Sequence, residues 1–357
     1  MHQNNKHSFE SFIIQCCKAK EWDLRRFLKK RLVSEGFTIQ EDNYRSDRCD
    51  YLGKYNKVHN LLAIRGNPRV CLVAHTDVCR DHGWAGAPQP PDVFPVLKNW
   101  GTPKEPRMVI QDKECKFQTG GDDRLGVAIN MWLALNTGYD VALLFTTDEE
   151  IGLCSASEVR FPELNEFDLL CQVDRGNKSN QLVTRIGGTQ LCSATTAKRL
   201  LKIAEDMGRP RDEVSGLCTD VQVIVRNGIA KEAVNMTCGY HNSFGDSAKE
   251  YIDVEEARST MKFVSNIIQY YDLQRDMQEE HEYEGEEETD DDVEIIDGEF
   301  DIENYIKVIS QARSETRPSF KGLPKEKNYK RLNRNKKRKY IEAIFDEDLY
   351  NKESRTI

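Results

Sequence analysis

Apolar runs that stop abruptly at histidine or acidic residues constrain this chain more than any other feature. Residues 70–78 are almost continuously apolar, and 141–147 and 169–173 are similar, as expected of strands buried on both faces of a sheet. Residues 58–64 read as another strand. Residues 122–136 carry Leu125, Ala128, Ile129, Trp132 and Leu133 at helical spacing, and 195–207 and 254–271 read as helices, the second closing the domain. Strands and helices alternating in this way predict an α/β fold, a three-layer sandwich around a mixed, mostly parallel sheet. Sites in such sheets assemble beyond the carboxyl ends of the strands.

Residues 9–36 precede this pattern as an amphipathic helix or helix pair ending at Gly36, with a basic face from Lys18 to Arg31 that reads as solvated surface. The segment 83–106, rich in Gly, Pro and Trp, reads as an irregular loop and a candidate cleft wall. From Asp276 to Asn304 there are sixteen acidic residues and no Lys or Arg, which predicts a disordered tether. Residues 305–357 form a charged appendage whose basic run, Lys321 to Lys339, reads as a soluble tail, the alternative being contact with the acidic stretch or with an acidic partner such as RNA.

The net charge of −9 over 357 residues argues against a globally basic nucleic-acid surface. The apolar run at 12–17 is too short for a membrane span or a secretory core. Eleven cysteines, odd in number and scattered, several of them inside apolar runs, point to reduced buried thiols and a cytoplasmic setting. No CxxC pair occurs, so any metal must rely on His, Asp and Glu. HExxH, GxSxG, GxxxxGK[ST] and GxGxxG are all absent.

Five short clusters carry the chemistry. His75 and Asp77, two apart at a strand end, project to the same side, and Asp77 is suited to take the imidazole's second N–H, as carboxylates do beside metal-bound histidines. Asp122 and Asp123 follow two glycines at a helix start, where a cap needs only one Asp. Glu149 and Glu150 come directly after the strand at 141–147, so one can ligate while the other acts as a base. Asp174 ends the strand at 169–173, and His241 follows the apolar stretch 233–238. Arg124, Arg175 and Arg185 lie beside these clusters and either hold a substrate carboxylate or serve surface and structural roles.

In this order the set resembles the co-catalytic zinc peptidase clan that includes peptidase T, the aminoacylase and carboxypeptidase branch and the lidless zinc aminopeptidases, over roughly residues 22–271. The resemblance implies one zinc on His75, Asp122 and Asp174 and a second on Asp122, Glu150 and His241, with Asp122 bridging. Glu149 would be the general base, and Co²⁺ or Mn²⁺ could replace Zn²⁺. The 66 residues between Asp174 and His241 leave no room for a lid domain, which brings the chain nearer the lidless aminopeptidases. Residues 1–275 are then the catalytic domain, hydrolysing short peptides from the amino end with a water activated between the metals. An amidase or deacylase for N-acyl amino acids, and a binding protein that lost catalysis, are the competing readings. No membrane partner is expected.

Overall fold

The amphipathic start of the chain becomes two helices. Ser8 caps α1 (Phe9–Lys18) by accepting the Ser11 N–H, and Ala19, in extended conformation, ends it before α2 (Glu21–Ser34) begins. Gly36, at φ 82°, supplies the left-handed turn after α2. The computed structural model describes residues 8–49, 55–79, 93–243 and 249–285. Residues 1–282 form one compact unit; the second, 283–357, falls almost wholly outside the described residues.

Along the chain come β1 (Thr38–Glu41), β2 (Tyr44–Cys49), β3 (Tyr55–Val58), β4 (Leu61–Arg65), β5 (Val70–His75), β6 (Pro95–Asn99) and β7 (Met108–Asp112). After α3 (Gly121–Asn136) come β8 (Val141–Thr146) and β9 (Leu169–Arg175). They are followed by β10 (Gln181–Ile186), β11 (Thr189–Gln190), α4 (Ala194–Asp206), β12 (Asp212–Gly216), α5 (Asp220–Arg226) and β13 (Ala233–Thr237). The unit closes with β14 (Tyr240–His241), β15 (Tyr251–Asp253) and α6 (Val254–Gly285).

The main sheet runs β1-β4-β8-β5-β9-β13-β10-β11, with β12 on β10. Its four central strands, β8, β5, β9 and β13, are parallel, and antiparallel strands flank them. Every residue of β5 and β8 is buried, as expected for parallel strands covered on both faces. Cys71, Val73, Leu144 and Leu170 join Val221 and Ile224 of α5 in one apolar core. α3 packs on β5 and β9, and Asn130 donates to the Val73 carbonyl at 3.2 Å. α1 lies on α3, with the Phe9 and Phe12 rings against Trp132 at 5.4 and 6.0 Å. The three-layer α/β sandwich is the fold that the alternating pattern predicts.

Some boundaries differ from the sequence reading. The strand expected over 58–64 breaks at Asn60, whose side chain donates to Asp42 and to the Ser155 carbonyl, so β3 and β4 belong to different sheets. Part of the expected loop at 83–106 is β6, an antiparallel partner of β7 in a second sheet, β14-β15-β7-β6; residues 80–92 lie outside the described residues. α6 continues to Gly285, into the acidic stretch expected to be disordered, because Glu, Gln and Met there are strong helix formers. The remainder of that stretch, and the basic run, lie outside the described residues. Between Asp174 and His241 the chain builds β10 to β13, α4 and α5 around the same main sheet, with no separate domain inserted.

Candidate metal centre

Register brings the clusters together. β5 pairs in parallel with β8, His75 opposite Thr146, and with β9, Val73 opposite Gln172. The carboxyl ends of three neighbouring strands therefore finish side by side. His75 ends β5, the Glu149-Glu150 turn follows β8, and Asp174 lies near the end of β9. The first turn of α3 adds Asp122, where the backbone is still non-helical, at φ −88° and ψ 108°, and the Asp122–Asp123 peptide is cis.

The His75 ring is fully buried and divides two environments. Its Nε2 lies 3.2 Å from Asp122 Oδ1, 3.6 Å from Asp174 Oδ1 and 4.0 Å from Glu149 Oε2. Its Nδ1 faces Asp77, 3.3 Å from Oδ1 and 3.1 Å from the carbonyl oxygen. Asp77 also accepts the backbone N–H groups of Glu149 and Glu150, at 3.2 and 3.1 Å. One carboxylate thus fixes the imidazole and the glutamate turn together. Asp148 enters that turn at φ 59°, a left-handed conformation that aspartate tolerates better than most residues.

Asp174 is equally constrained. Its Oδ2 accepts from Thr219 Oγ1 at 2.9 Å and Gln172 Nε2 at 3.1 Å, and Tyr240 Oη points at its Oδ1 from 3.4 Å. Gln172 reaches on to Asp220, which also accepts from Thr146. The turn carrying Asp122 is held from far along the chain: the fully buried Glu250 carboxylate accepts the N–H groups of Gly120, Gly121 and Asp122 at 2.7, 3.0 and 3.4 Å.

So many buried acids around one imidazole raise each other's pKa. Burial, then Asp122, pushes Asp174 up to about 6, and the same two causes push Glu150 up to about 8. Glu149 is driven well above the carboxylate range by burial and by Asp174, Asp220 and Asp122, against the opposing pull of His75. Burial opposes the charge on His75, but Asp174, Asp122 and Asp77 outweigh it and hold the ring well above its ordinary pKa. Asp123 Oδ2 and Asp220 Oδ1 are buried oxygens without a hydrogen-bond partner among the described residues. Such a surplus of buried anionic donors suits a cation. His75 Nε2 and carboxylate oxygens of Glu149 and Asp174 lie within 4.8 Å of one another, a nitrogen-and-oxygen set that zinc, cobalt and manganese accept.

His241, expected as a ligand, is not brought into this cluster. Its Nε2 lies 3.1 Å from Glu256 Oε2 and its ring stacks on Tyr251 at 4.9 Å. The reason is parity: neighbours along a strand face opposite ways, and in β14 Tyr240 takes the inward direction. The arginines also lie elsewhere. Arg124 is fully buried and donates to the Cys16 and Ala19 carbonyls at the end of α1, at 3.5 and 3.2 Å, a helix C-terminus that favours a cation. No substrate carboxylate can reach it. Arg175 Nε donates to Gln181 Oε1 at 2.7 Å, and Arg185 is an exposed residue of β10. Arg124→Ala is expected to cost roughly 2–3 kcal/mol of stability and to leave KM for a peptide unchanged; urea unfolding and steady-state kinetics check this.

Sequence reasoning missed Glu250, Gln172 and Cys79, and took Tyr240 only as the neighbour of His241. Cys79 approaches Glu150 twice, its N–H 3.1 Å from Oε1 and its Sγ 2.8 Å from Oε2. Burial and the Glu150 carboxylate push its thiol pKa up.

Among solved structures the chain shares its fold with peptidases. The aminopeptidase PepT from Bacillus cereus ATCC 10987 matches with a TM-score of 0.55 at 14% identity, over 73% of this chain and 97% of that one. A tripeptidase from Staphylococcus aureus matches with a TM-score of 0.55 at 13% identity, over 73% and 96%. A glutaminyl cyclase from Tannerella forsythia matches with a TM-score of 0.51 at 14% identity, over 73% and 97%. No family model matches the chain, and no curated protein sequence is similar to it. The α/β catalytic fold implied by the zinc-peptidase resemblance is the one this chain adopts.

Proposed function

We propose that this chain is a metal-dependent peptidase that removes residues from the amino end of short peptides. The observation that carries the reading is the convergence of Asp122, Asp174 and Glu149 on His75 Nε2, all within 4.0 Å, at the carboxyl ends of adjoining parallel strands. His75, Asp122 and Asp174 would hold the ion. A divalent ion bound there supplies Lewis acidity towards the scissile carbonyl and lowers the pKa of water towards about 7.

The remaining work falls to the chain's own groups. Glu149, the most distant of the three carboxylates from Nε2, is free to take a proton from water on its carboxylate and return it to the leaving amine. Asp77 keeps the His75 ring oriented, Thr219 and Gln172 hold Asp174 in place, and Tyr240 offers a hydroxyl at the same edge. A peptide's amino end is favoured because no inserted domain stands between Asp174 and His241 to read the other end. Cysteines that are all free among the described residues fit a reducing, cytoplasmic setting. No described helix is long and apolar enough to cross a membrane.

The fold also occurs in a glutaminyl cyclase, so fold alone does not choose the reaction. The test offers the full-length protein an unblocked tripeptide, an N-acetyl amino acid and a peptide with amino-terminal Gln, alongside metal analysis. Release of the first residue from the tripeptide, lost on chelation and restored by zinc, is the expected result. Preference for the acylated amino acid would make the chain a deacylase. A protein that neither contains metal nor takes up added zinc would be a binding protein of this fold.

A further inference from the structure

The two oxygens of Asp174 are held in different ways. β9 places Gln172 and Asp174 two apart, so both project to the same side of the strand. Gln172 is fully buried, a polar residue among apolar ones, and its amide is fixed at both ends. Oε1 accepts the Val221 N–H from the first turn of α5 at 3.0 Å, while Nε2 donates to Asp174 Oδ2 at 3.1 Å and to Asp220 Oδ2 at 3.2 Å. Turning the amide over would set its oxygen against two carboxylate oxygens and its N–H groups against another N–H, so the donors face the acids. Thr219 Oγ1 adds a second donor to the same Oδ2 at 2.9 Å. A carboxylate oxygen offers about two lone-pair directions, and on Oδ2 both are taken. Oδ1 is the oxygen that faces His75 Nε2, at 3.6 Å, with Tyr240 Oη 3.4 Å away. Asn235 fixes the backbone as well, accepting the Asp174 N–H at 3.0 Å and donating to its carbonyl at 3.3 Å.

We propose that Gln172 and Thr219 are positioning residues that restrict Asp174 to a single oxygen at the metal, so that one coordination position stays open. The inference rests on the reading of His75, Asp122 and Asp174 as the metal centre. One atom from each of these gives three protein donors, the number that a catalytic zinc site carries beside water. Chelation by both Asp174 oxygens would supply a fourth and fill the tetrahedron. Gln172 and Thr219 do not touch the ion in this scheme; both act through Oδ2. Asp220 serves them one step further out, since it takes the second N–H of Gln172 and is itself held by Thr146 Oγ1 at 2.8 Å. Such outer groups commonly govern how a ligating carboxylate is presented.

A crystal structure of the zinc-loaded full-length chain tests this directly. One Asp174 oxygen should stand about 2.0–2.2 Å from the ion, with the other still on Thr219 and Gln172. Both oxygens at bonding distance would overturn the proposal and leave the metal centre standing. Zinc absent from His75 would remove the reading underneath as well. In solution, the visible bands of bound cobalt weaken as its coordination number rises above four. Replacing both donors together, Gln172→Met with Thr219→Val, should therefore weaken the bands at full cobalt occupancy, whereas Thr219→Ser, which keeps the hydroxyl, should retain the wild-type spectrum. Unchanged bands in the double variant would refute the proposal, whatever happens to its stability or turnover. Should that variant fail to fold, Thr219→Val alone, compared with Thr219→Ser, decides by the same reading.

Discussion

Glu149→Gln is expected to bind metal like the wild-type chain and to lose between about 10²- and 10⁴-fold in turnover, the usual contribution of a positioned general base. The amide keeps the size of the side chain, and Asp77 still holds the backbone N–H of residue 149. What disappears is the ability to accept a proton beside His75 Nε2, 4.0 Å away. Measuring kcat together with metal content separates two roles that the geometry brings close. Since Glu149 also lies in the group of atoms within 4.8 Å that includes His75 and Asp174, a variant that loses metal as well as turnover would make it a ligand. Turnover near the wild-type level would move the base elsewhere.

The largest loss of stability at a single position is expected for Glu250→Ala. Its carboxylate accepts three consecutive buried N–H groups, those of Gly120, Gly121 and Asp122, and a buried donor left unsatisfied costs about 1–3 kcal/mol. A fall of at least about 3 kcal/mol in unfolding free energy follows, even if part of the turn rehydrates. Metal affinity should fall too, by about 10- to 100-fold, as for other groups that orient a ligand without touching the ion. Glu250→Gln, which retains one carbonyl oxygen, should recover part of both. Denaturant unfolding of metal-free protein, paired with cobalt affinity, reads the two effects separately. Lower stability with unchanged affinity would confine Glu250 to the fold.

The central strands and α3 were legible because burial on both faces leaves an uninterrupted apolar run, and because a helix repeats its apolar residues at a fixed interval. His75, Asp122, Glu149 and Asp174 could be nominated together because parallel register turns scattered strand ends into neighbours. Other features depend on information that no local window holds. Glu250 reaches its N–H partners across about 130 residues, and Lys249-Glu250 resembles any charged pair in a loop. β15 finds its partner in β7, far away in sequence, and β6, though close to β7 along the chain, lies in a Gly- and Pro-rich run that concealed a strand. Tyr240 and His241 differ by one step of strand parity. The sequence favours the imidazole on chemical grounds, while the pairing of Tyr240 with Ile252 in β14 and β15 sends the phenol inward.

The contacts of Asp77 have a consequence for how the site could be altered. By gripping the His75 ring with one oxygen and the two glutamate amides with both, it works as a hinge pin through the ends of β5 and β8. The spacing between the imidazole and the glutamate pair is therefore one mechanical quantity, not two. A substitution elsewhere that shifts either strand end will carry the other with it, so the proposed base and its metal position should drift, or stay fixed, as a single body.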